Sequence, residues 1–228
     1  MKLYDNFSAY DSFFVCGDIH GEFKTLLYEI KRKGISDAII LLDGDCGIGF
    51  EEPEYFQNSL IDFPLMKTLP DYSVIRFKTR NILCVGGAVS VDRSGRLQAM
   101  WLAGLKERTA PKYYWEDEMP VFDQISLSEL KIADIQIDTV VTHTAPSFCA
   151  PLFKTGIEGW LLRDEKLAEY IAKEREVMDE IHNCLFKEGH PVKHWFYGHF
   201  HNSHTEYISD ICFRMLSVME LCELRKGI

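Results

Sequence analysis

Short apolar runs alternate with polar, glycine-bearing turns along the first fifty residues. Ser12-Phe13-Phe14-Val15-Cys16 closes on Gly17-Asp18, and Ala38 to Leu42 closes on Asp43-Gly44-Asp45. Between these runs Phe23, Leu26, Leu27 and Ile30 recur at helical spacing, and Gly34 supplies a stop signal. The pattern predicts strand, helix, strand, and hence a parallel pair joined by a crossover.

From Tyr72 the pattern changes to "YSVIRF", a polar "KTRN" link and "NILCVGG", which predicts an antiparallel pair ending in the Gly86-Gly87 turn. "DTVVTH" is a further buried strand. Leu161 to Phe186 predicts one long helix, with Leu167, Ile171, Met178, Ile181 and Leu185 as its buried stripe and "KEREVMDE" on its solvated side. The segments "KHWFYGH", "HTEYI", "ICFRML" and "VMELCEL" predict a closing antiparallel meander. No internal repeat or linker interrupts the chain, so residues 1–228 are expected to form a single layered α/β domain.

Composition narrows the possible partners. A net charge of −10 disfavours long nucleic acids, whose binding needs clustered Lys and Arg. The chain starts without a signal-like segment and has no run of ~18 apolar residues, so no membrane partner is expected. Its seven cysteines are odd in number and lack C-x-x-C spacing, which suits buried thiols in a reducing, cytoplasmic setting. Nothing in the sequence fixes an oligomeric state.

Four strand ends carry polar residues that a core does not require: Gly17-Asp18-Ile19-His20-Gly21, Gly44-Asp45-Cys46-Gly47, Thr142-His143-Thr144 and Gly198-His199-Phe200-His201. In extended chain, residues i and i+2 project to one side, so Asp18 with His20, and His199 with His201, are expected to converge. A lone Gly-Asp is a common turn, and a lone strand-end His is often a hydrogen-bonded spectator. Four such blocks in order carry more weight than any one of them. Imidazole and carboxylate donors together suit Mn, Fe or Zn. Six ligands suit two ions sharing a carboxylate better than one tetrahedral site.

At these residues the sequence resembles the calcineurin-like metallophosphoesterase superfamily, whose ordered motifs are D-x-H, G-D, G-N-H, a later His and G-H-x-H. The opening G-D-I-H-G is also similar to that of serine/threonine protein phosphatases, although "GDCGIGF" lacks their D-R-G. The resemblance implies a metallophosphatase-type β-sandwich of two mixed sheets flanked by α-helices, with metals at the carboxyl ends of strands. It implies that Asp18, His20 and His201 hold one divalent ion, that His143 and His199 hold a second, and that Asp45 bridges them. The expected activity is hydrolysis of phosphate mono- or diesters by a hydroxide shared between the two metals. Such sites recur across protein phosphatases, nucleotide phosphodiesterases and nucleases, so the substrate is expected only to be phosphorylated.

The sequence contains no Gly-Asn-His. Either Gly86-Gly87-Ala88 stands in that motif's place with Asn and His replaced, or it opens a separate block. The second reading resembles a bacterial branch with G-G-A-x-S-x-D, W-x-x-E and T-H-x-x-P, which this chain matches in order at Gly86 to Asp92, "WEDE" and "THTAP". It is the better account, and it places the missing motif between Gly49 and Tyr72, where Asn58 is the one Asn. The absence motivates a rival expectation, a binding module that keeps the fold and has lost turnover.

Arg93 is a candidate phosphate-binding residue, since a guanidinium fork matches phosphate oxygens, and Arg96 is a weaker one. Asp43 reads as a turn or supporting carboxylate. His182, His190 and His194 are expected away from the metals and His204 near their periphery. Tyr113, Tyr114 and Trp115 are candidate cleft walls or core.

Overall fold

The computed structural model describes residues 1–7, 9–47, 67–106, 114, 117–152 and 156–225. In chain order the strands are β1 (Lys2–Tyr4), β2 (Ser12–Cys16), β3 (Ala38–Leu42), β4 (Ser73–Phe77), β5 (Arg80–Val85), β6 (Thr139–Thr142), β7 (His194–Tyr197), β8 (His204–Ile208), β9 (Ile211–Met215) and β10 (Leu221–Glu223). The helices are α1 (Phe23–Arg32), α2 (Arg93–Lys106), α3 (Gln124–Ile132), α4 (Glu158–Leu161) and α5 (Leu167–Lys187).

Among the described residues, seven strands form one sheet in the order β1-β4-β5-β6-β7-β9-β8, and three form a second in the order β10-β2-β3. Both sheets are mixed. The expected crossover is present, with β2 and β3 parallel and Phe13 opposite Ile39. The expected antiparallel pair is β4 and β5, with Ile75 opposite Ile82.

Three clusters of buried side chains define the layers. Phe13 and Val15 of the small sheet pack on Ile75, Ile82, Val141 and Phe196 of the large one, so the sheets meet face to face. The other face of the large sheet, with Val140, Trp195 and Phe213, is covered by Leu127 and Leu130 of α3 and by Met178, Ile181 and Leu185 of α5. On the far side of the small sheet Cys16 and Ile19 pack on Phe23 and Leu26 of α1. Helix, sheet, sheet, helix is a way to bury both faces of both sheets. No helix among the described residues is long and apolar enough to cross a membrane.

The C-terminal segments do not form a meander. β7 pairs in parallel with β9, β8 lies antiparallel at the sheet edge, and β10 crosses to pair antiparallel with β2 in the small sheet. Side-chain character explains the order. Ile211, Phe213 and Met215 of β9 are buried and need neighbours on both sides, whereas His204, Thr205 and Tyr207 of β8 are exposed and suit an edge. The tight turn between them places Ser209 and Asp210 at φ 49° and 65°, the handedness a two-residue hairpin favours.

The long helix also differs from expectation. It is broken into α4 and α5, and two charged residues of "KEREVMDE", Glu174 and Arg175, are buried. The helix α2 has no counterpart in the sequence pattern, because Leu97, Trp101 and Leu102 are exposed and give no inward stripe.

Candidate metal centre

Each of the four polar blocks follows the carboxyl end of a strand: β2 and β3 in the small sheet, β6 and β7 in the large. These strands run parallel within each sheet, so the loops emerge at one end of the sandwich. Backbone bonds stitch them together. The amides of Ile19 and His20 both donate to the Asp45 carbonyl at 2.9 Å, and Gly198 donates to the His143 carbonyl at 3.1 Å.

Asp18, only 1% exposed, joins the two sheets. Its Oδ1 accepts the Asp45 amide at 2.7 Å and its Oδ2 the His199 amide at 3.1 Å. Glycine is required beside it, because a Cβ on Gly44 would lie 1.5 Å from Asp18 Oδ1.

The six residues converge in two halves. Asp18, His20 and His201 each place a ligand atom within 4.8 Å of the others, so this cluster could bind a metal ion. His20 Nε2 is 3.0 Å from His201 Nε2, His201 Nε2 is 3.1 Å from Asp18 Oδ2, and His20 Nδ1 is 3.4 Å from Asp45 Oδ2. In the other half the rings of His143 and His199 stand edge to face at 5.1 Å, and His143 Nε2 is 3.4 Å from Asp18 Oδ1.

The carboxylate that touches histidines of both halves is therefore Asp18. Asp45, the expected bridge, touches His20 on one side and accepts the Gly47 amide at 2.7 Å on the other.

Convergence does not come from alternation along extended chain. His20, His199 and His201 lie beyond the strand ends with φ of 46°, 68° and 51°. This left-handed backbone turns each loop back on itself at a cost of about 1 kcal/mol per residue. Between the paired polar residues, Ile19 is buried in the core and Phe200 packs, partly buried, against it.

The electrostatics suit a cation. Burial, the largest influence on Asp18, would raise its pKa, but His143, the Asp45 amide and His199 together outweigh it and bring the pKa to about 2. Burial lowers His199 to about 3, so its imidazole is neutral and keeps a lone pair. His143 Nε2 is buried without a hydrogen-bond partner, its contact with Asp18 lacking hydrogen-bond alignment. An ionised Asp18, a neutral His199 and the unsatisfied ring nitrogen of His143 form a donor set that fits Mn, Fe or Zn. Asp43, behind Asp18, is buried with neither oxygen bonded, and burial followed by the Asp18 charge pushes its pKa well up.

The glycine block is an intact framework. Gly87, at φ 91°, turns the chain where a Cβ would lie 2.8 Å from the Glu118 carbonyl. Glu118 receives the Ser90 amide at 2.6 Å and the Ser90 hydroxyl at 2.8 Å, which physically joins the "GGAVSVD" and "WEDE" blocks. Val89 donates to Glu174 Oε2 at 2.6 Å. The block thus contributes backbone donors to this end of the sandwich.

Glu174 was missed by the sequence pattern. It is fully buried, accepts the Thr144 hydroxyl on Oε1 at 3.2 Å, and places that oxygen 3.9 Å from His199 Nε2. Burial raises its pKa to about 7. A signal was available, since Leu167, Ile171, Met178, Ile181 and Leu185 leave a vacant stripe position at 174 in a 4-3-4-3-4 spacing. Beside it Arg175 donates to the carbonyls of Ala145, Pro146, Cys149 and Pro151, clamping the loop that follows His143.

Arg93 is engaged within the chain. Its guanidinium bonds Asp164 at 2.6 and 3.0 Å and lies 3.8 Å over the Tyr170 ring. With Tyr114, Tyr170, Arg163 and Lys166 it lines a cleft of about 790 Å³. Tyr170, at the cleft wall, lies one helical turn, roughly 6 Å along α5, before Glu174. Arg96 pairs with Asp92 at 2.7 Å. His204 is exposed on β8, His190 accepts the Ile137 amide, His182 lies among Phe148, Phe186 and Trp195, and His194 is buried on β7. Asn58, Tyr113, Trp115 and most of the stretch between Gly49 and Tyr72 lie outside the described residues. No protein-family model matches the chain, and no curated protein matches it.

Proposed function

We propose that this chain is a metal-dependent phosphoesterase that hydrolyses phosphate mono- or diesters with two divalent ions, manganese, iron or zinc. The observation that carries the reading is the meeting of Asp18, Asp45 and four histidines from four separate strand ends, with Asp18 in contact with both histidine pairs. Asp18, His20 and His201 would hold one ion and His143 and His199 the other, with Asp18 and Asp45 supplying shared oxygens. When bound, the ions would neutralise charge on the phosphoryl oxygens and acidify the attacking water.

The chain's own residues prepare that chemistry. Asp18 stays ionised above about pH 2, and His199 presents a lone pair rather than a proton. The side chains of His20 and His201 are 40% and 52% exposed, whereas those of His143 and His199 are 17% and 14% exposed. An ester would therefore approach from the His20 and His201 side, the more open one among the described residues. Cytoplasmic residence is part of the proposal, since the seven free thiols suit a reducing compartment.

The lack of Gly-Asn-His in the sequence favours a second reading, a binding module that holds metal without turnover. Assays of aryl phosphate and bis-aryl phosphate with added Mn²⁺, beside Asp45→Asn, separate the two. The enzyme reading expects metal-dependent release of the phenol that falls at least about 100-fold in the variant, in line with the loss of an electrostatic catalytic group. Turnover equal to that of the variant despite tight metal binding would establish the binding module instead.

A further inference from the structure

The buried carboxylate of Glu174 touches three of the chain's polar blocks at once. It holds the Val89 amide of the glycine block at 2.6 Å and the Thr144 hydroxyl next to His143 at 3.2 Å. Its Oε1 also stands 3.9 Å from His199 Nε2. A fully buried carboxylate on the middle of a 21-residue helix is costly to keep unless its position is needed. Its two backbone and hydroxyl donors satisfy part of its hydrogen-bonding capacity, since two carboxylate oxygens carry about four acceptor sites. An imidazole N–H is the donor the site has to spare.

We infer that Glu174 is the positioning residue for the His143 and His199 half of the cluster, accepting the Nε2 proton of His199 and so leaving Nδ1 as the nitrogen free to bind a divalent ion. A shift of about 1 Å at the ring brings Nε2 within hydrogen-bond range of Oε1. Metal-ligating histidines commonly give their second ring proton to a carboxylate, which fixes the tautomer and orientation and makes the ligand more basic. Here the same carboxylate also fixes the turn after His143 through Thr144, so one side chain sets the spacing of both imidazoles. The glycine block takes part as well, because its Val89 amide holds Oε2 and leaves Oε1 facing Thr144 and His199.

This inference rests on the two-ion reading, and its test separates the two. In the metal-free protein, long-range ¹H–¹⁵N correlation of the histidine rings should show His199 protonated on Nε2. In Glu174→Gln, which keeps an oxygen for the Val89 amide but offers an N–H toward the ring, the proton should move to Nδ1. Titration with Mn²⁺ should then show two ions per wild-type chain, whereas the variant should keep the first ion's affinity and bind the second about 10- to 100-fold more weakly.

His199 protonated on Nδ1 in the wild-type protein would overturn the inference whatever the metal count, and needs no variant to fold. Two ions bound by Glu174→Gln with wild-type affinity would also overturn it while leaving the two-ion reading standing. Fewer than two ions bound by the wild-type chain, with His199 protonated on Nε2, would sink the two-ion reading and with it the metal role assigned to Glu174.

Discussion

Asp18 depends on a neighbour with no side chain. A methyl on Gly44 would overlap the Asp18 carboxylate, so Gly44→Ala must displace the residue that links the two sheets. Mn²⁺ affinity is expected to fall at least about 10-fold, as for loss of a supporting contact to a ligand, measurable by calorimetric titration. At Arg93 the expectation is a pH effect. The Arg93 hydrogen bonds hold the Asp164 pKa below its ordinary value of roughly 4. A depressed folded-state pKa gives stability that is fully present above the unfolded value and lost as pH falls through the folded one. Urea unfolding should therefore show wild type more stable than Asp164→Asn at pH 6, with the gap closing as pH falls below about 4. The ordered Asp and His motifs were legible because each follows an apolar strand. Glu174 was not, because in the string "KEREVMDE" a buried Glu looks like its exposed neighbours, and only the stripe spacing betrays it.

Elements place those residues, and two of them can be tested directly. Asp123 caps α3, its carboxylate accepting the amides of Ile125 and Ser126 at 2.9 and 3.1 Å. Replacing it with Ala should cost about 1 kcal/mol by chemical denaturation, without effect on metal binding. Arg175 on α5 serves four carbonyls of the loop from Ala145 to Pro151, all of which lose their buried donor in Arg175→Ala. That change should cost about 3 kcal/mol or more. Strand identity was legible from period and turn residues, as the β2-α1-β3 crossover and the β4-β5 hairpin demonstrate. Strand order was not. Nothing in "HTEYI" and "ICFRM" taken singly states that the second sits inside the first, and the contrast of buried β9 with exposed β8 decides it only once both share a sheet.

At the scale of the molecule, the candidate centre is a joint between sheets. Asp18, His20 and Asp45 come from loops of the three-stranded sheet, and His143, His199 and His201 from loops of the seven-stranded one. An ion held by both sets binds the folded chain and not the separated sheets. Saturating Mn²⁺ should therefore raise the midpoint of thermal unfolding and a chelator should lower it, with a gain of about 2.7 kcal/mol at a free concentration 100 times Kd. Asp18→Asn should abolish most of that gain. With a net charge of −10, weak binding of polyanions outside such a centre is the expectation.

The central claim is that two divalent ions sit among Asp18, Asp45 and the four histidines. Diffraction from Mn²⁺-soaked crystals, recorded at the manganese absorption edge, tests it most directly. The account predicts two anomalous peaks about 3.5–4 Å apart, one beside His20 and His201 and one beside His143 and His199. A map with no peak among these residues, or with one peak at saturating Mn²⁺, would contradict it.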